Sequence, residues 1–223
     1  DPDNEDLYDI DDQFLIGGHV MVTPLLERGA STATPLFPGP HDWHHIRTGT
    51  SIGHGRKAVV DEDHTVTVRG GAIIPLQEPP ARGPVTTTAA RSGPLQLLAA
   101  PDRARQAEGQ LYWDDGDSLN SYDEKKFSHI KFTLNRNILS SRVVWWGYGV
   151  PSINNITIFN QPTVVSVTVK GASAHFEYLE KTKVLQIYNI NLSLDNPFEV
   201  QWLYKAKQNK AISINSPYVP KSG

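Results

Sequence analysis

Residues 164–188 read VVSVTVKGASAHFEYLEKTKVLQIY, and their spacing decides the fold class. Val165, Val167 and Val169 recur at every second position, with Ser166, Thr168 and Lys170 between them. A period of two puts the valines on one face of a β-strand and the polar residues on the other. After Gly171, Phe176 and Tyr178 alternate with His175 and Glu177. Val184–Tyr188 then follows a polar loop of hairpin length, Glu180-Lys181-Thr182-Lys183. Strands this short, with turns between them, predict an antiparallel β-sandwich.

The same pattern extends in both directions. Strands are expected at Leu95–Ala100, Gln110–Trp113, His129–Asn135, Ile138–Trp146, Ile156–Phe159 and Phe198–Tyr204. Nearer the start, Val20–Leu26 (broken by Pro24), Thr65–Arg69 and Ala72–Leu76 read likewise. One stretch has a helical period: Leu7, Ile10, Phe14 and Leu15, closed by Gly17-Gly18. Residues 41–64 are weakly patterned and read as a long loop. Residues 77–109 hold five Pro, four Arg and seven Ala, and a domain boundary is placed there, near residue 92. The chain therefore divides into a helical segment (1–17), a β-domain (18–91), a β-sandwich domain (92–204) and a basic tail (205–223).

Composition narrows the chemistry. The 223 residues contain no Cys, which excludes disulfides, a thiol nucleophile and Cys-based metal sites. No apolar run approaches the roughly 20 residues that span a bilayer. The net charge of −3 offers no electrostatic case for nucleic acid. Charge is polarised, however: residues 1–12 hold seven acids and no base, and residues 205–223 hold four Lys and no acid. Both ends read as solvated. The sequence opens on Asp1 and its one Met is Met21, so a processed or excised piece of a longer protein is expected.

Several clusters could carry chemistry. His41-Asp42-Trp43-His44-His45 offers three imidazoles and a carboxylate, but on a strand His44 and His45 face opposite ways, so the bland reading is a polar loop around a packed Trp43. Asp61-Glu62-Asp63-His64 reads as a solvated loop. Trp113-Asp114-Asp115-Gly116-Asp117-Ser118 could supply paired carboxylates or calcium ligands, yet Asp-Gly after a strand is first a tight-turn signal. Trp145-Trp146, with Tyr148, could stack on a sugar; since neighbours on a strand point apart, one Trp is expected in the core and the other on the surface. Asn155-Ile156-Thr157 and Asn191-Leu192-Ser193 are N-glycosylation sequons and favour a secretory or lysosomal route. No nucleophile elbow, P-loop or dinucleotide fingerprint occurs.

Four stretches together resemble glycoside hydrolase family 31. Asp12-Gln13-Phe14-Leu15-Ile16-Gly17-Gly18-His19-Val20-Met21-Val22-Thr23-Pro24-Leu25-Leu26 is similar to the family's segment leading from the catalytic barrel into the next β-domain. Phe37-Pro38, Trp43 and Thr48-Gly49 follow in the family's order, as do Val68-Arg69-Gly70-Gly71-Ala72-Ile73-Ile74-Pro75-Leu76-Gln77-Glu78-Pro79 and Gly109-Gln110-Leu111-Tyr112-Trp113-Asp114-Asp115-Gly116-Asp117-Ser118. The likeness runs from about residue 8 to 204 and is strongest to the animal α-glucosidases. Two departures stand out: the family's Trp-Tyr-Asp reads Trp43-His44-His45, and an aromatic is replaced by Ala72.

The resemblance implies an all-β fold: two antiparallel β-sandwich domains, proximal and distal, preceded by the last helix of a (β/α)8 barrel at residues 1–17. It implies that the nucleophilic and acid/base aspartates lie upstream, so the chain holds no catalytic residue, cofactor or metal site, and Trp113, Asp114, Asp115 and Gly116 form a structural motif. The expected partner is the catalytic barrel of the same enzyme, contacted through Phe14, Leu15, Val20, Val22, Ile73, Ile74 and Trp113. An α-glucoside would be met only through that partner. The expected function is non-catalytic support for retaining hydrolysis of terminal α-1,4-linked glucose. The alternatives are a free-standing sugar-binding module using Trp145 or Trp146, and an interaction protein derived from the family. Asn155 and Asn191 are the N-linked glycan candidates, in a lysosomal or secreted protein.

Overall fold

The computed structural model describes residues 3–61, 65–77 and 86–206. Glu62, Asp63 and His64 of the acidic cluster, Glu78-Pro79 and residues 207–223 of the basic tail lie outside the described residues. The first strands are β1 (Phe14–Ile16), β2 (Val20–Val22), β3 (Thr32–Ala33), β4 (Leu36–Phe37), β5 (Trp43–His45), β6 (Ser51–Gly53), β7 (Arg56–Lys57), β8 (Val60–Asp61), β9 (Val66–Arg69) and β10 (Ala72–Gln77). After the short helix α1 (Thr87–Arg91) come β11 (Leu95–Ala100), β12 (Gln106–Trp113), β13 (Ser128–Asn135), β14 (Ile138–Trp146) and β15 (Ile153–Ile158). The last are β16 (Val164–Val169), β17 (Ala172–Ser173), β18 (Phe176–Leu179), β19 (Val184–Ile187) and β20 (Glu199–Tyr204).

Two sheets dominate, in line with the all-β expectation. A five-stranded sheet runs β1-β2-β9-β5-β6, and an eleven-stranded sheet runs β17-β16-β20-β14-β13-β12-β10-β11-β15-β19-β18. The large sheet folds over itself: Ile130, Phe132 and Leu139 from one part meet Leu97, Ile156 and Ile187 from another in one buried cluster. Pairing is antiparallel except at β10–β12 and β11–β15, which are parallel. Strand β10 precedes residue 92 but pairs with β11 along its whole length, so the two parts of the chain share a sheet. A second cluster, with Val68 and Ala72 against Leu98, Phe159 and Val184, joins the five-stranded sheet to the large one.

Three details differ from the sequence reading. The helical period at Leu7–Leu15 yields only a 3-10 turn at Glu5–Leu7, and Phe14–Ile16 are strand. The cause is tertiary: the Gln13 carboxamide donates to the Leu36 carbonyl (2.8 Å) and accepts from the Leu36 N–H (2.9 Å), and Phe14, Leu15 and Ile16 pair with Val22, Met21 and Val20. Residues 41–64 are not one long loop but carry β5 to β8, and the fully buried Trp43 packs in one cluster with Phe37 and Val60. In β16 the register slips between Val164 and Ser166, leaving Val165 52% exposed while Val164 and Val167 enter the core. A bulge of this kind inserts one residue and re-aims those before it.

Two glycines are dictated by close approach. A Cβ on Gly109 would lie 1.9 Å from the Ile73 carbonyl oxygen, which is how β12 comes against β10. Gly49 has φ +71° and a Cβ there would meet Phe159 at 2.6 Å, so the Thr48-Gly49 pair is the turn that lets β5 and β6 sit against Phe159 and Val184.

Candidate functional site

The histidine cluster is dispersed by its strand. Trp43 is wholly buried beside Phe37, their ring centroids 6.1 Å apart, and its indole N–H donates to the Pro38 carbonyl at 3.0 Å. His44 is 1% exposed, with Nδ1 3.4 Å from the Gly49 carbonyl. Burial pushes its pKa down, against smaller upward pulls from that carbonyl and from Asp42. Asp42 turns away to receive Arg103 (3.0 and 3.1 Å) and His54 (2.8 Å), and the Arg103 hydrogen bonds lead in holding its carboxyl below the usual range. Among the described residues no group of three or more His, Cys, Asp or Glu is placed to hold a metal.

The carboxylates after β12 are turned inward on their own loop. Asp114 accepts from the Gly116 N–H (2.9 Å) and the Ser121 hydroxyl (2.7 Å). Asp115 accepts from the N–H groups of Asp117 (3.0 Å) and Ser118 (2.9 Å) and from the Ser118 hydroxyl. The Ser118 hydroxyl leads in holding the Asp115 pKa down at about 2. Arg91 donates to the Asp114 carbonyl and lies over the Trp113 ring, 4.1 Å from its centroid. The geometry is that of a turn locked to helix α1, with both carboxylates ionised and engaged.

Trp145 and Trp146 are 38% and 40% exposed, so neither is a core residue. This corrects the expectation that one would be buried. The register shift between His129 and Ile130 occurs where β14 leaves the covered part of the sheet, and the strand end there is open on both faces. The Trp145 N–H donates to the Lys125 carbonyl, and the Lys125 ammonium lies 4.8 Å from its ring. Nearby, Tyr112 and Tyr122 each stack on Phe127, with centroid separations of 5.0 and 5.1 Å.

The expected contact residues differ in exposure, and Val20, Val22 and Ile74 are half-buried. Ile73 is buried in the large sheet's own core, and Trp113 packs against it. Phe14 and Leu15, by contrast, are 54% and 47% exposed on β1, an edge strand, and beside them Ile16, outside the expected set, is 60% exposed. Between the β1–β2 turn and the outer face of β12 and β13 lies a groove of about 510 Å³, whose rim includes His19, Glu108 and Lys131. Burial, and then the Arg69 charge, lower the His19 pKa. An edge strand with three adjacent exposed apolar residues is a surface that natural proteins normally cover or charge.

One polar residue had no signal in the sequence. Gln161 is fully buried; its Oε1 accepts from the Trp202 indole (3.1 Å) and the Tyr204 hydroxyl (2.9 Å). Its Nε2 donates to the Phe159 carbonyl, and its own carbonyl accepts from the Tyr178 hydroxyl, both at 2.9 Å. The pairing of β16 with β20 brings Trp202 and Tyr204 to it, and Tyr178 arrives from β18.

Residues 1–74 match the family described as "Glycosyl hydrolase family 31 C-terminal domain". The chain is 30% identical over 215 residues to intestinal sucrase-isomaltase of Homo sapiens, covering 90% of this chain and 12% of that protein. It is 30% identical over 212 residues to an alpha-glucosidase of Schizosaccharomyces pombe, covering 90% of this chain and 21% of that one. Among solved structures, the glucosidase II alpha subunit in its DNJ-bound form superposes with a TM-score of 0.72 at 20% identity, over 86% of this chain and 24% of that one. A likeness at that identity speaks for the fold. The chain thus spans 12% to 21% of the length of these curated relatives.

Proposed function

The chain belongs to glycoside hydrolase family 31, as a C-terminal portion, and from that premise we propose that it is the non-catalytic support of an α-glucosidase. The observation that carries the proposal is the exposed apolar edge strand β1, which lies within the segment that the family resemblance assigns to the end of the catalytic barrel. The barrel partner would supply the nucleophilic and acid/base carboxylates of a retaining mechanism. Its substrate would be terminal α-1,4-linked glucose, reached by this chain only through the partner. The reading divides the chain into a barrel remnant (1–17), a proximal unit (18–91), a distal unit (92–204) and a basic tail (205–223). The proximal unit lends β10 to the distal sheet. A secretory or lysosomal route completes the proposal.

The exposure of Trp145 and Trp146 favours a second reading, a sugar-binding module. One experiment separates the two. Purified residues 1–223 are assayed with a chromogenic α-glucoside and titrated calorimetrically with maltotriose. The support role expects neither turnover nor heat; turnover overturns it, and saturable heat lost on Trp145→Ala selects the module.

A further inference from the structure

We propose that Asn191 is an N-glycan acceptor and that Asn155, the other sequon asparagine, is left unmodified. The proposal rests on the secretory route above. Asn191 is exposed in the connection from β19 to β20, at a left-handed φ of 42°. Its Oδ1 accepts the Ser152 hydroxyl at 2.7 Å, while its Nδ2 has no hydrogen-bond partner among the described residues. Leu192, the middle residue of the sequon, is 4% exposed and bridges to Ile153, so the sequon is pinned by its centre. Asn191 and Ser193 flank it on the outside.

The chemistry suits that geometry. Glycosylation replaces one Nδ2–H bond with a bond to C1 of N-acetylglucosamine. The C1–O bond to a lipid-linked diphosphate donor breaks, the diphosphate keeps the electron pair, and the proton passes to the transferase base. Oδ1 remains an amide carbonyl, so the Ser152 hydrogen bond survives the modification.

Asn155 is placed differently. It is half-buried on β15, an interior strand between β11 and β19. It pairs with Gln96, and Thr157, two residues on, pairs with Leu98. Leu98 is 4% exposed because Val68 and Ala72, before residue 92, pack against it. A branched oligosaccharide on that face would compete with the packing that joins the two units.

The test uses the full-length parent polypeptide, secreted from cultured animal cells behind a heterologous leader. Glycans are removed by peptide N-glycosidase in heavy-oxygen water, and the tryptic peptides 143–170 and 184–205 are analysed by mass spectrometry. The label is expected at Asn191 in most molecules and not at Asn155. Asn191→Gln and Ser193→Ala should each remove one glycan's mass, the second while leaving the Asn191–Ser152 pair intact. A secreted protein unlabelled at Asn191, or labelled at Asn155, overturns the proposal. Because the leader supplies the route, that failure would leave the family reading standing.

Discussion

His44 shows what a single residue carries. An imidazole held almost without solvent resists protonation, so its folded pKa lies below the ordinary histidine value of 6.5. The unfolded chain takes up a proton as pH falls through about 6.5 and the folded chain does not. Its contribution to stability is therefore full above that pH, falls as pH drops toward the folded pKa, and is constant below it. The urea midpoint should decline between pH 7 and 5, and His44→Gln should flatten that decline by a measurable share. The cluster 41–45 is visible in the sequence, but its burial is not. Whether a strand histidine faces solvent depends on what lies over it, and here that is Phe159, whose ring is 6.0 Å away and more than a hundred residues downstream.

At the scale of elements, strands with strict alternation are readable from sequence and those set by long-range pairing are not. β13 shows a clean in-out pattern from Ile130 to Asn135 because one face meets the core and the other solvent. β1 reads as helical because three residues supply too little periodicity to reveal a tertiary anchor such as Gln13. Its exposure makes a sharp prediction. Ile16 is 60% exposed, so Ile16→Lys should alter the chain's own unfolding free energy by less than about 0.5 kcal/mol. The same substitution should weaken association with a separately produced catalytic portion at least tenfold, roughly 1.4 kcal/mol, in a titration. Unchanged affinity would remove β1 from the interface.

For the whole molecule, the Asp115-Gly116 turn is legible because its residues are chemically specialised for a local demand, whereas Gly49 and Gly109 answer the close approach of Phe159 and Ile73. Gln161 answers a global demand, receiving donors from two residues of β20 and from Tyr178 of β18. Gln161→Leu would orphan the buried Trp202 indole N–H, while the Tyr204 hydroxyl keeps the Arg136 carbonyl at 3.0 Å. At about 1–3 kcal/mol for each buried group left unpaired, the denaturant midpoint should fall sharply without a change in the far-ultraviolet spectrum at low denaturant. Strand β20 lies between β14 and β16 and pairs with both, although it is made some sixty residues after the first and thirty after the second. During synthesis both earlier strands wait with open edges, and the sandwich has no closed form until residues 199–204 leave the ribosome. The order of manufacture thus makes the last described strand a keystone, and the waiting period is when a nascent chain of this kind most needs a chaperone.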